Sequence, residues 1–266
     1  MNLLYKIAKA GLSQGVHIPS SSRYIFTYHD VSDFDTPHYS DLYSTPIERF
    51  YEHIDLLSRY FEFASLDYIV ALEQKRKRLA AITFDDGFFS VKETVMPYLV
   101  SRGIPFSVFV NQTAIKKNYL PYDLYSEINR HHETKVYLEE CDIKGLHEKG
   151  IIVGSHTSNH STLVNCSLKM LQDEVTENKS YLEKLLNTNI AHFAFPYGKK
   201  EHYDEAAVIF CRSIGHLHIY NTNPVYFKSS TLKDNLSLIP RLGLTNQSKE
   251  ELLFLINRPL VKKIDI

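Results

Sequence analysis

Short apolar runs alternate along this chain with longer stretches whose apolar residues recur three and four positions apart. The first pattern predicts strands and the second helices. Residues 24–28 (Tyr-Ile-Phe-Thr-Tyr) are rich in β-formers and read as a strand. Thr45-Pro46-Ile47-Glu48 then reads as a helix start, with Thr45 as cap, Pro46 in the first turn and Glu48 completing a capping box. Phe50, Ile54, Leu57 and Phe61 follow at helical spacing. Further strands are expected at 61–64, 80–84, 106–110, 151–154, 191–195, 213–220 and 236–239. Helices are expected from Gly87 toward Leu99, from Ser167 through Leu186, over 206–210 and from Ser248 onward. The segment 111–149 lacks strand alternation and reads as one or two rim helices, whose Tyr119, Tyr122 and Tyr125 face substrate or pack.

Regular strand–helix alternation argues a parallel sheet or barrel. With 266 residues, short connections and no linker-like composition, the chain reads as one domain over 1–266. Leu3, Leu4, Ile7, Ala8 and Leu12 line one face of a short helix, so 1–22 reads as an N-terminal helical extension. That stretch has neither the apolar core of a signal peptide nor the ~20 apolar residues of a membrane span. The expected location is cytoplasmic, with loose association at the inner membrane face left open.

Composition narrows the partners. A formal net charge of -1 provides no field for nucleic acid. The basic run Lys75-Arg76-Lys77-Arg78 reads as a solvated element end. Cys141, Cys166 and Cys211 are odd in number and widely spaced, which favours buried thiols in a reducing compartment over a disulfide framework. With 18 Tyr, 15 Phe and no Trp, any aromatic platform for a sugar has to be Tyr or Phe.

Two segments carry chemistry. The 80–84 strand stops at Asp85-Asp86-Gly87, and the 151–154 strand stops just before His156-Thr157-Ser158-Asn159-His160. Each is weak alone, since adjacent acids also cap helices and histidine pairs also arise by chance. Together, at the ends of buried strands where barrel enzymes collect their active residues, they fit a metal site. One carboxylate and two imidazoles hold a divalent ion with open positions, and the second carboxylate is left to act as a base.

These segments resemble the polysaccharide deacetylase family, carbohydrate esterase family 4. Its T-F-D-D-G, H-[ST]-x-x-H and P-Y-G motifs occur here in order, as Thr83 to Gly87, His156 to His160 and Pro196-Tyr197-Gly198. The resemblance runs from about Tyr24 to the Arg241 region. It implies an α/β fold, a distorted (β/α) barrel with about seven strands, and removal of an N-acetyl group from an N-acetylated sugar or glycan. It also implies Asp86, His156 and His160 as ligands of a metal, usually zinc, with Asp85 as general base and the Tyr197 backbone N–H in an oxyanion hole.

Three departures matter. Ala194 stands where many members carry an arginine that orients the base, and Arg241 in Ile239-Pro240-Arg241-Leu242 is the candidate substitute. The acidic-tryptophan motif is absent. So is the C-terminal leucine-x-histidine motif, because no histidine follows His218. In the permuted poly-β-1,6-N-acetylglucosamine deacetylases an N-terminal Y-H-D segment brings the histidine acid. Tyr28-His29-Asp30 resembles that segment, making His29 the candidate general acid. His216 and His218 are weaker alternatives. The competing readings are a hydrolase of a non-glycan amide or imide and a non-catalytic glycan-binding homologue.

Overall fold

The computed structural model describes residues 18, 22–36, 39–71, 77–118, 120, 135–223 and 238–257. The strands are β1 (Arg23–Tyr28), β2 (Asp30–Val31), β3 (Ser44–Thr45), β4 (Glu62–Phe63), β5 (Leu79–Phe84), β6 (Phe106–Val110), β7 (Ile152–Ser155), β8 (His192–Ala194), β9 (His218–Asn221), β10 (Ile239–Pro240) and β11 (Leu242–Gly243). Helices α1 (Ile47–Leu57), α2 (Leu66–Val70), α3 (Met96–Ser101, entered through a π turn, Val91–Val95), α4 (Gln112–Lys117) and α5 (Glu140–Glu148) alternate with them. Helix α6 runs through Leu168–Leu171, a π turn Gln172–Thr176 and Glu177–Leu186, and α7 (Glu205–Ser213) and α8 (Lys249–Asn257) follow.

All pairings in the main sheet are parallel, in the order β10-β9-β8-β7-β6-β5-β1-β11, with β4 joined to the start of β5. Strand β10 extends the sheet beside β9, and β11 extends it beside β1 at the opposite end. Arg241 alone separates these two strands. One short segment therefore joins both ends, and the sheet closes nearly into a barrel, as the resemblance implied.

The two faces follow the period of a strand. Ile25, Leu79, Ala81, Phe109, Ala194, Tyr220 and Ile239 pack together inside the barrel, against Leu66, Ile69 and Val70 of α2 at its floor. Their neighbours Tyr24, Phe26, Tyr28, Ala80, Ile82, Phe84, Val108 and Val110 face out into the layer covered by helices. Burial on both faces is why these strands read as continuous apolar runs. Among the described residues, no helix is long and apolar enough to cross a membrane.

Several local expectations are corrected. The predicted 213–220 strand is β9 alone, because α7 runs to Ser213 and the chain turns at Gly215 (φ 94°). His216 thus sits in a connection, fully buried against Phe193, and not beside His218 on a strand face. Thr45 does not cap α1; it is tied up in β3, and Asp33 Oδ1 accepts the Ile47 N–H at 3.2 Å instead. Ser167 and Ser248 do cap α6 and α8, accepting from Met170 N and Glu251 N. Of the cysteines only Cys211 is buried, Cys141 being exposed, and all three are free. Tyr119, Tyr122, Tyr125 and nearly all of the N-terminal extension lie outside the described residues.

Candidate active site

The C-terminal ends of β1, β5, β7 and β8, with the segment closing the barrel, converge on one cluster. Asp85 continues the inward alternation of β5 and is buried. Arg241, the fully buried residue at the barrel seam, grips it with two bonds, Nη1 to Oδ1 at 2.7 Å and Nη2 to Oδ2 at 2.6 Å. Burial pushes the Asp85 carboxyl up, but the guanidinium, helped by His156 and His29, outweighs it and holds the group below the ordinary carboxylate range. Asp85 is therefore ionised and fixed in orientation.

Asp86 points the other way. Its Oδ1 lies 3.4 Å from His156 Nε2 and 3.2 Å from His160 Nε2. The ligand atoms of Asp86, His156 and His160 all lie within 4.8 Å of one another. His156 is oriented from behind by a 2.8 Å bond between its Nδ1 and Ala194 O, which leaves Nε2 bare toward Asp86. Buried polar atoms are normally paired, yet Asp86 Oδ1 and His156 Nε2 are both buried without a hydrogen-bond partner among the described residues. That convergence of orphaned oxygen and nitrogen atoms is what a divalent metal ion satisfies, so the donor set fits the metal the resemblance implies. Burial lowers the His160 pKa to about 4, Asp86 only partly opposing it, so its ring is neutral and free to ligate at neutral pH.

The backbone around these residues is unusual. Asp86 (φ 67°), Thr157 (φ 64°), His160 (φ 60°) and Tyr197 (φ 58°) all occupy the left-handed region, which non-glycine residues rarely adopt. Such conformations persist only where surroundings impose them. Asn111 Nδ2 donates to the carbonyls of His156 and Thr157, pinning the turn into the histidine loop. Glu174, in the π turn of α6, accepts from Asn159 N (3.0 Å) and Asn159 Nδ2 (2.8 Å), while its own carbonyl accepts from Ser158 N (2.8 Å). The π turn thus faces its extra backbone and side-chain acceptors to the loop carrying the histidines. At Pro196-Tyr197-Gly198 a Cβ on Gly198 would lie 2.7 Å from the Thr222 backbone nitrogen, so only glycine permits this turn.

The sequence profile of the polysaccharide deacetylase family matches residues 73–215. The chain belongs to the polysaccharide deacetylase family. It is 22% identical over 205 residues to YxkH of Bacillus subtilis (strain 168), a curated protein that carries the same family's name. The match covers 75% of this chain and 64% of YxkH, so the chain spans less than two thirds of that relative. The fold is similar to the Streptococcus pyogenes deacetylase PplD solved with acetate (TM-score 0.70, 18% identity, 89% of this chain and 98% of that one). It is also similar to IcaB from Ammonifex degensii (TM-score 0.67, 18% identity, 90% and 97%).

Within this deacetylase-family barrel, all seven residues singled out from the sequence lie at the C-terminal ends of strands or in the barrel seam. Asp85, Asp86, His156, His160 and Arg241 are in one connected cluster. His29 is half-buried at the end of β1, where Asp85 N donates to Tyr28 O at 2.9 Å, and it is an electrostatic neighbour of Asp85, Asp86 and His160. The Tyr197 ring lies against His160, with centroids 4.6 Å apart. Sequence reasoning missed Asn111, Glu174 and Asn178. Asn178 links Val110 O, Ser155 Oγ and Gln112 N, tying β6 and β7 to α6. For Asn178 the available signal was a polar residue among helical neighbours that include Val175, Tyr181 and Leu182.

Proposed function

We propose that the chain is a metal-dependent hydrolase that removes the acetyl group from an N-acetylated sugar or glycan. The observation that carries the reading is the split between two adjacent carboxylates. Asp86 turns to the histidines, whereas Asp85 is kept out of that set and ionised by a bidentate arginine. An Asp-His-His set leaves ligand positions open, and a divalent ion held there supplies Lewis acidity toward an amide carbonyl and a water molecule.

The protein's own groups then divide the proton work. Asp85 takes a proton from the attacking water while Arg241 keeps the carboxylate aimed. The new C–O bond leaves an oxyanion, the charge that the Tyr197 backbone N–H would stabilise. His29 gives a proton to the departing nitrogen as the C–N bond breaks, releasing acetate and the free amine. Surface polysaccharide biosynthesis is the cellular setting that this substrate class suggests.

The test is acetate release from N-acetylglucosamine oligomers by the zinc-loaded protein, run beside small cyclic amides. Asp85→Asn should abolish release, a loss of at least about 10²-fold, while zinc stays bound. Full activity in that variant would sink the base assignment. Turnover of the cyclic amides alone would favour the non-glycan reading, and failure to bind zinc would favour the non-catalytic one.

A further inference from the structure

Arg241 is the most deeply buried cation described, and what lies beneath it is not part of the deacetylase motifs. Its guanidinium carbon sits 5.0 Å from the centroid of Phe109 and 5.9 Å from that of Tyr220. The two rings meet edge to face, with centroids 5.4 Å apart, and so form a two-sided aromatic cradle inside the barrel. Both distances fall in the range of cation–π attraction, which is strongest where the cation is desolvated. Room for the cradle is made by Gly154, the register partner of Phe109 on β7: a Cβ there would lie 2.4 Å from the Phe109 ring.

Tyr220 is itself held from below. Its hydroxyl bonds His192 Nδ1 at 2.8 Å, and His192 Nε2 bonds Asp67 Oδ1 at 2.9 Å. Complete burial keeps the phenol well above its ordinary pKa, so the hydroxyl keeps its proton. The His192 bond holds the Asp67 carboxyl below its ordinary range. His192 also stacks on Tyr220, with centroids 5.9 Å apart. A column of contacts thus runs from Asp67, at the solvent-facing floor, through His192 and Tyr220 to Arg241 and the base. The neighbouring interior residues include the small or aliphatic Ile25, Ala81, Ala194 and Ile239, so among the described residues Phe109 and Tyr220 are the π faces beneath the guanidinium.

We propose that Tyr220 is a positioning residue: held by His192 and Asp67 at the barrel floor, it completes the aromatic cradle that fixes Arg241 against Asp85. The proposal rests on the reading of Asp85 as base, and its test has one arm that needs no activity. In that arm, nitrogen-15 NMR of the metal-free protein follows the Arg241 guanidinium. Hindered rotation, with separate Nη signals, is expected in the wild type, measurably faster exchange between them in Tyr220→Leu, where the Asp85 bonds and Phe109 remain, and an intermediate rate in Tyr220→Phe. In the second arm, Tyr220→Leu should lower kcat for acetate release about three- to tenfold, the scale of one lost cation–π contact, with KM unchanged. Tyr220→Phe should restore only part of that loss, because it keeps the π face but gives up the His192 bond. In an Arg241→Met background Tyr220→Leu should cost nothing further, because its target is gone.

An equal loss in the Arg241→Met background would overturn the proposal, as would unchanged Arg241 signals in Tyr220→Leu. If the wild type releases no acetate, the functional reading fails while the NMR arm still decides the cradle. Should Tyr220→Leu not fold, Tyr220→Met, which refills the volume without a π face, replaces it in both arms.

Discussion

Replacing Arg241 with methionine tests the electrostatics of the site without any assumption about substrate. Asp85 and Arg241 are 2% and 0% exposed and are joined by two bonds of 2.7 and 2.6 Å. Removing the cation leaves a buried carboxylate whose other electrostatic partners among the described residues are the imidazoles of His156 and His29. Breaking one partner of such a pair costs about 3–5 kcal/mol, whereas replacing both with neutral groups of similar volume is often close to neutral. Arg241→Met should therefore destabilise by about 3–5 kcal/mol, and Asp85→Asn combined with Arg241→Met should recover most of that loss. Arg241→Lys keeps the charge but not the planar fork, and should fall between wild type and Arg241→Met. The assay is urea unfolding with a chelator present, so that metal binding does not mask the change. With a urea slope near the upper end of about 1–3 kcal/mol per molar, the midpoint should drop by about 1 M or more in the single variant. A drop below about 0.3 M, or a double variant as unstable as the two singles summed, would refute the picture of a mutually dependent buried pair.

Other consequences are open to direct measurement. His29→Gln should cut turnover by about 10²-fold while changing zinc affinity only a few-fold; loss of zinc instead would move His29 into the ligand set. Glu174→Ala removes both side-chain bonds to Asn159 in the histidine loop. It should weaken zinc binding by about 10–100-fold in a chelator competition, and unchanged affinity would show the loop holds itself. His216 is fully buried, and burial, with Lys179 nearby, lowers its pKa from 6.5 to about 3. The folded protein therefore disfavours the protonated ring, so the stability His216 contributes is full above pH 6.5 and is lost as pH falls toward 3. By pH 5 the loss is about 2 kcal/mol, from about 1.4 kcal/mol per pKa unit. A His216→Phe variant should lose correspondingly less stability between pH 7 and pH 5, and parallel pH dependences would rule the assignment out.

Much of the fold was legible because buried parallel strands and amphipathic helices write different periods into the chain. The run Leu79–Phe84 reads as a strand, since both of its faces are covered. Errors fell where local pattern and tertiary demand diverge. The 213–220 stretch mixes β-formers with Gly215, and only the turn out of α7 shows that its first half is not strand. Thr45 has the right chemistry for a cap, but pairing with β2 claims its backbone, and a distant aspartate takes over the capping. The three cysteines looked alike in sequence, and packing alone separates buried Cys211 from exposed Cys141.

By itself the sequence determined the donor types and their placement at strand ends: two adjacent carboxylates, two histidines four apart, and the turn that follows Pro196. Residue identity and a two-residue strand period suffice for that, because strand ends in a parallel barrel all open on the same face. Tertiary structure decided how the surroundings of the two carboxylates differ. Asp85 and Asp86 are neighbours of the same type, and they differ because a left-handed backbone at Asp86 turns it to the histidines while the barrel seam delivers Arg241 to Asp85. The physical reason is long-range. The contacts that split the pair come from residues 70 to 156 positions away, and only closure of the sheet brings them within bonding distance.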